Sequence, residues 1–136
     1  MKNIKVCIGT DTLANGKQFI EILSRINNID VVGQSSNGKE TVKLIFKLHP
    51  DVALLGIDLS DMNGIEVLTR IKDIYPDIKF ILFTSSSTSG FEDECLKRGA
   101  DYFFQSGSNN SLFDLLNCMK QILNKFQTTK MIRERN

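Results

Sequence analysis

The chain has 136 residues, the size of one domain rather than two. Hydrophobic residues make up 41% and charged residues 24%, which reads as globular rather than disordered. Seventeen Lys and Arg against sixteen Asp and Glu leave a net charge of +1, so the whole-chain charge gives no footprint for nucleic acid or an anionic membrane.

Ile4–Ile8 is a short apolar run ending at Gly9, as a strand buried on both faces would be, with a loop at Thr10-Asp11-Thr12. Phe19, Leu23 and Ile26 then recur at helical spacing. Val31-Val32-Gly33 reads as a second strand. Ser36-Asn37-Gly38 reads as a turn in which Ser36 or Asn37 caps the next helix. That helix carries Val42, Ile45 and Leu48 and stops at His49-Pro50, because proline disfavours the helical region for the residue before it. Val52–Ile57 is a third apolar run, and Asp61-Met62-Asn63-Gly64 has turn chemistry. Ile65, Leu68, Ile71 and Tyr75 form a helical stripe stopped by Pro76.

Ile78–Phe83 is a fourth strand-like run, followed by the polar cluster Thr84–Ser89. Phe91–Arg98 reads as a short helix with Gly99 after its end. Tyr102–Phe104 is a fifth strand. The stripe Leu112, Leu115, Leu116, Met119, Ile122, Leu123 and Phe126 is the clearest helix in the chain. The expected domain therefore spans 1–126. Residues 127–136 are polar and read as a tail or the start of a linker. Five alternations of strand and helix predict an α/β fold with a parallel sheet. Functional loops in such sheets follow the carboxyl ends of the strands.

Cys7, Cys95 and Cys118 are far apart and form no CxxC pair, which argues against zinc and against a disulfide framework. No apolar run approaches the roughly 20 residues of a membrane span. The start Met1-Lys2-Asn3-Ile4 has no apolar signal region, so a cytoplasmic domain is expected.

Ile4-Lys5-Val6, Val31-Val32-Gly33 with Asn37-Gly38, Pro50-Asp51-Val52 through Asn63-Gly64, and Gly99-Ala100-Asp101-Tyr102-Phe103 together carry a resemblance. The chain resembles the receiver domain of bacterial two-component response regulators over about residues 3–125. The opening and the Gly-Ala-Asp-Tyr-Phe block are most similar to receivers of sporulation-type transcription regulators; other features equally resemble receivers with helix-turn-helix outputs. The resemblance implies a flavodoxin-like (βα)5 doubly wound sheet of strand order 2-1-3-4-5. It also implies a phosphorelay signalling role in transcription regulation, with no enzymatic activity of its own.

Such receivers carry two acids after the first strand, a phosphoaccepting Asp at the end of the third, a Thr or Ser at the end of the fourth and a Lys at the end of the fifth. Carried onto this chain, the acidic pair reads Thr10-Asp11. The acceptor position, counted back from Asn63-Gly64, falls on Gly56. The Lys position falls on Ser106, while the switch hydroxyl and switch aromatic match Thr84 and Phe103. Glycine has no side chain and cannot be a nucleophile. Loss of the acid at Thr10 also relieves like-charge repulsion in an empty site. The chain therefore reads as a degenerate, or pseudo-, receiver that acts through protein partners, with no cofactor required. A homodimer through the last helices fits, and direct binding to nucleic acid or membrane is not expected.

Asp58 is the surviving acid near the acceptor position. It is a solvated loop carboxylate, or with Asp11 a weak Mg²⁺ site, or a substitute phosphoacceptor. Thr84 and Phe103 are retained switch positions, or simply a strand-end hydroxyl and a core aromatic. Ser85-Ser86-Ser87 reads as a flexible polar loop more readily than as a phosphorylation site. His49 reads as structural, at a helix end where a cation suits the dipole. Gly9–Gly16 faintly resembles a phosphate loop, which leaves a small flavodoxin-like binder of FMN or a phosphorylated ligand as an alternative.

Overall fold

The computed structural model describes residues 3–135 except 12, 86–89 and 106–110; for 13–15, 111 and 127–135 it describes the backbone alone. Five strands form one parallel sheet: β1 (Ile4–Gly9), β2 (Ile29–Ser35), β3 (Val52–Gly56), β4 (Lys79–Thr84) and β5 (Tyr102–Gln105). Their order across the sheet is 2-1-3-4-5, as the resemblance implies. Helices α1 (Leu13–Ser24), α2 (Gly38–Leu48), α3 (Gly64–Lys72), α4 (Phe91–Lys97) and α5 (Ser111–Arg135) follow the strands in turn.

The period-2 alternation of strand side chains sorts the core into two layers. Val52 and Leu54 of β3 point with Ile81 and Phe83 of β4 to the face covered by Phe19 and Leu23 of α1 and by Leu115, Met119 and Ile122 of α5. Ala53 and Leu55 point with Phe80 and Leu82 to the face covered by Ile45 of α2, Val67, Leu68 and Ile71 of α3 and Cys95 of α4. Both faces of the central strands are therefore dry, which is why β3 reads as a continuous apolar run. The register between β1 and β2 slips after Val6, which pairs with Val31, whereas Cys7 pairs with Gly33.

The helix boundaries follow local chemistry. Asn37, not Ser36, caps α2, its side-chain oxygen accepting from the Glu40 N–H at 2.8 Å. Asn63 caps α3 in the same way, accepting from the Glu66 N–H at 2.9 Å. His49 ends α2 in the left-handed region with φ 48°, and its N–H still reaches the Ile45 carbonyl at 3.0 Å. Pro50 denies it the helical region, and αL is the alternative it takes.

Two stripes end earlier than their spacing predicts. The N–H groups of Arg25 and Ile26 turn to Ile22 and Leu23, three residues back, so α1 closes at Ser24 in a tightened turn and Ile26 packs beyond it. Tyr75 lies beyond α3, although its N–H reaches the Ile71 carbonyl at 2.8 Å. Its ring instead meets Phe46 at 5.6 Å and His49 edge-on at 5.2 Å. The segment from Gln127, expected as a tail or linker, is helical in its backbone as far as Arg135. At 1.5 Å per residue α5 is about 37 Å long, well beyond any strand of the sheet.

Candidate functional site at the carboxyl edge of the sheet

Strand order reverses between β1 and β3, so the crevice for a ligand opens beyond the carboxyl ends of these two strands. Gly9 pairs with Leu55, Gly56 with Phe83 and Thr84 with Gln105, which brings the four strand ends to one level. The sheet thus gathers Thr10, Asp11, Gly56, Asp58 and Thr84 along one edge. Ser106 lies outside the described residues.

Gly56 is buried at the last position of β3. A Cβ there would lie 3.2 Å from Cζ and 3.3 Å from Cε2 of Phe83, tighter than ordinary van der Waals contact. The Phe83 ring is itself held. It stacks on Phe104 at 5.5 Å with an interplanar angle of 18°, and meets Phe19 edge-on at 5.1 Å. Phe19 and Phe104 are perpendicular at 6.1 Å. Three rings from α1, β4 and β5 therefore fill the layer beneath Gly56, in stacked and edge-to-face arrangements that aromatic quadrupoles favour.

Beyond β3 the chain turns back on itself. The Ile57 N–H donates to the Phe83 carbonyl at 2.8 Å, extending the sheet pairing by one residue. Gly64 N–H donates to the Ile57 carbonyl at 3.1 Å, and a Cβ on Gly64 would collide with the Gly56 carbonyl oxygen. Asn63-Gly64 is thus pinned against the strand end, where only glycine fits. Asp61 closes the loop from outside. Its carboxylate accepts from the Gly38 N–H at 2.6 Å and the Lys39 N–H at 3.2 Å, at the start of α2. Residual desolvation pushes its carboxyl up, but backbone N–H groups of Gly38, Lys39, Asp61 and Met62 outweigh this and hold it below the usual carboxylate range.

Asp58 and Thr84 meet. The Thr84 hydroxyl, on a residue only 2% exposed, donates to Asp58 Oδ2 at 3.3 Å, while Asp58 is otherwise exposed. Asp58 is thus an exposed loop carboxylate with one long contact to a buried hydroxyl. Thr10 is also 2% exposed, and its hydroxyl has no hydrogen-bond partner among the described residues. Asp11 is exposed. Phe103 is half-buried, paired with Leu82 and packed on the α2–α4 side. Among the described residues no three His, Cys, Asp or Glu side chains gather as metal ligands. Magnesium is held by one or two carboxylates together with substrate phosphates. Asp11 and Asp58 are the carboxylates that this edge offers for the first part.

Sequence reasoning missed three features here: the Phe83 ring beside Gly56, the Asp58–Thr84 contact and the Asp61 bracket. The first had a signal. Val52–Gly56 and Lys79–Thr84 are adjacent parallel strands, and Gly56 and Phe83 share a parity that puts them on one face. The other two depend on loop paths that carry no periodicity.

The three cysteines are buried and free, and desolvation pushes each thiol up to about 11, with Glu94 adding to the effect at Cys95 and Asp114 at Cys118. His49 lies at the opposite end of α2 from Asn37 and takes no part in the site.

A five-stranded 2-1-3-4-5 parallel sheet with a hydroxyl, carboxylates and an aromatic at its carboxyl edge defines a flavodoxin-like α/β module. The chain belongs to the response regulator receiver domain family of two-component signalling, whose model matches residues 6–116. It is 35% identical over 102 residues to a protein-glutamate methylesterase/protein-glutamine glutaminase of Clostridium acetobutylicum, covering 74% of this chain and 30% of that one. It is 30% identical over 115 residues to the response regulator protein VraR of Staphylococcus aureus, covering 84% and 55%. Among solved structures, the response regulator domain of Thermotoga maritima CheB matches with a TM-score of 0.81 and 26% identity, covering 90% of this chain and 98% of that one. A CheY-like receiver domain of Methanospirillum hungatei matches in fold with a TM-score of 0.80 at 23% identity, covering 94% and 99%. The chain spans between 30% and 49% of the length of the first curated relatives it matches. No helix among the described residues is long and apolar enough to cross a membrane.

Proposed function

We propose that this chain is a receiver module that takes no phosphate at the usual position and signals through protein–protein contacts in the cytoplasm. The observation that carries the reading is Gly56. It stands at the carboxyl end of β3, at the switch point of the sheet, with no side chain to attack phosphorus and the Phe83 ring 3.2 Å from where a β-carbon would stand. Thr10 and Ser106, at the positions where the resemblance puts an acid and a Lys, support the same conclusion. A phosphoryl transfer needs metal, acceptor and charge stabilisation together, and each of the three is depleted here.

In this reading the module is not an enzyme and needs no cofactor, and any Mg²⁺ affinity of Asp11 and Asp58 is weak. Its partners are signalling proteins or an output domain, with a homodimer through the last helices as a further association. It binds neither nucleic acid nor membrane directly. A transcription-regulatory output follows from the relative of Pseudomonas aeruginosa named a putative transcriptional regulator, and rests on that likeness alone.

One observation favours a second reading. Asp58 lies two residues beyond Gly56 and touches Thr84, so it is the side chain best placed to substitute as a phosphoacceptor. Incubation with acetyl phosphate and Mg²⁺, followed by intact mass, separates the two. No mass gain is expected. A gain of one phosphoryl group, abolished by Asp58→Asn, replaces the first reading with the second.

A further inference from the structure

We propose that the position an acceptor side chain would take at the end of β3 is crowded from within the chain: the Phe83 ring takes the space beside Gly56, and Asp58 takes a hydrogen bond of Thr84. Asp58 is then a positioning residue that fixes the switch hydroxyl without phosphate. This rests on the reading that Gly56 accepts no phosphate, and it adds what replaces it.

Two separate observations carry the inference. The first concerns volume. An aspartate at position 56 would begin with a Cβ 3.2 Å from the Phe83 ring, and that ring is braced by Phe104 on one side and Phe19 on the other. Protein interiors are close-packed, so a lost side chain is tolerated best when a neighbour occupies its place. Phe83, in register with Gly56 and 3% exposed, is that neighbour.

The second concerns hydrogen bonding. A phosphoryl group at the acceptor would present anionic oxygens to the hydroxyl of the β4 end. A carboxylate presents the same kind of acceptor, here at a distance longer than the roughly 2.5–2.7 Å of a strong charge-assisted bond. Asp58 Oδ2 receives the Thr84 hydroxyl at 3.3 Å. Thr84 is buried at 2% exposure, so its hydroxyl is satisfied locally or not at all. The anchor comes from the loop after β3, the same loop that Gly64 and Asp61 pin against Gly56 and α2. A switch needs a ligand that distinguishes two states. With the acceptor volume filled and the hydroxyl held by a residue two positions away, the chain rests in one state set by its own side chains.

Amide NMR of the full chain tests this. Asp58→Ala is expected to move the Thr84, Ser85 and Gln105 resonances, at the end of β4, just after it and on its partner strand, as well as those beside position 58. Asp58→Asn keeps an acceptor oxygen without the charge, and should move them less. Wild-type resonances are expected to stay in place with beryllofluoride and Mg²⁺. For the volume claim, Gly56→Ala should lower the melting temperature in the presence of Phe83 and lose that effect beside Phe83→Leu. Shifts from Asp58→Ala confined to residues 57–60, or a Gly56→Ala penalty equal in both backgrounds, would overturn the inference while leaving the Gly56 reading standing. A beryllofluoride-dependent shift at Thr84 would overturn that reading itself.

Discussion

Adding one methyl group at Gly56 is a sensitive probe of the filled site. The backbone at Gly56 lies outside the left-handed region, so Ala is conformationally allowed there. Replacing glycine at a compatible position gains about 0.4–1 kcal/mol by narrowing the unfolded ensemble. Overpacking a dense core costs about 1–3 kcal/mol. The Ala methyl would sit 3.2 and 3.3 Å from two atoms of a ring braced on both sides, so the steric cost should prevail. The expected net loss is about 1.3 kcal/mol, the difference between the midpoints of those two ranges. That lowers the melting temperature by roughly 3–8 °C in a domain of this size. Phe83→Leu alone removes ring contacts with Phe19 and Phe104 and should also destabilise. The informative quantity is the coupling between the two. In the Phe83→Leu background the methyl has room, so Gly56→Ala should be neutral or mildly stabilising, giving a coupling of about 1 kcal/mol or more. Urea unfolding of the four proteins, followed by circular dichroism, measures it. A coupling near zero would mean that Phe83 does not fill the acceptor volume.

Other outcomes follow from the same geometry. Asp61→Ala removes the acceptor for the Gly38 and Lys39 N–H groups and should lower the melting temperature at neutral pH. Because Asp61 is held below its ordinary value of 3.8, its contribution is present above that value and disappears as pH falls through the lower folded-state value; the gap between wild type and Asp61→Ala should therefore close in acid. Asn37→Ala and Asn63→Ala should each cost about 0.5–2 kcal/mol in urea unfolding, as lost N-caps do. Thiols pushed up to about 11 by burial should resist iodoacetamide in the folded protein at pH 8, and all three should label once the chain is unfolded.

The sheet was legible in the sequence because its strands are buried on both faces. Continuous runs such as Val52–Gly56 and Lys79–Thr84 have no other economical reading, and their alternation with helical stripes implies parallel pairing. Helix starts were legible where a cap residue marks them, at Asn37 and Asn63. Helix ends were less so. Ile26 and Tyr75 keep helical spacing yet lie beyond α1 and α3, because a tightened last turn and a ring cluster with Phe46 and His49 place them, and neither leaves a periodic trace. At the site, Gly56, Thr10 and Thr84 could be numbered from neighbouring motifs. What could not be numbered was how the depleted site is completed. Phe83 reaches Gly56 across a strand pair, and Asp58 reaches Thr84 across a loop, at sequence separations of 27 and 26 residues. Such contacts are consequences of the assembled sheet.

The account turns on whether the sheet edge accepts phosphate. Intact-mass measurement of the chain after incubation with acetyl phosphate and Mg²⁺ is the most direct test, with a phosphorylatable receiver treated in parallel as the positive control. The account predicts an unchanged mass for this chain while the control gains one phosphoryl group. A hydroxylamine-sensitive phosphoryl adduct on this chain, mapped to Asp58 or Asp11, would contradict it.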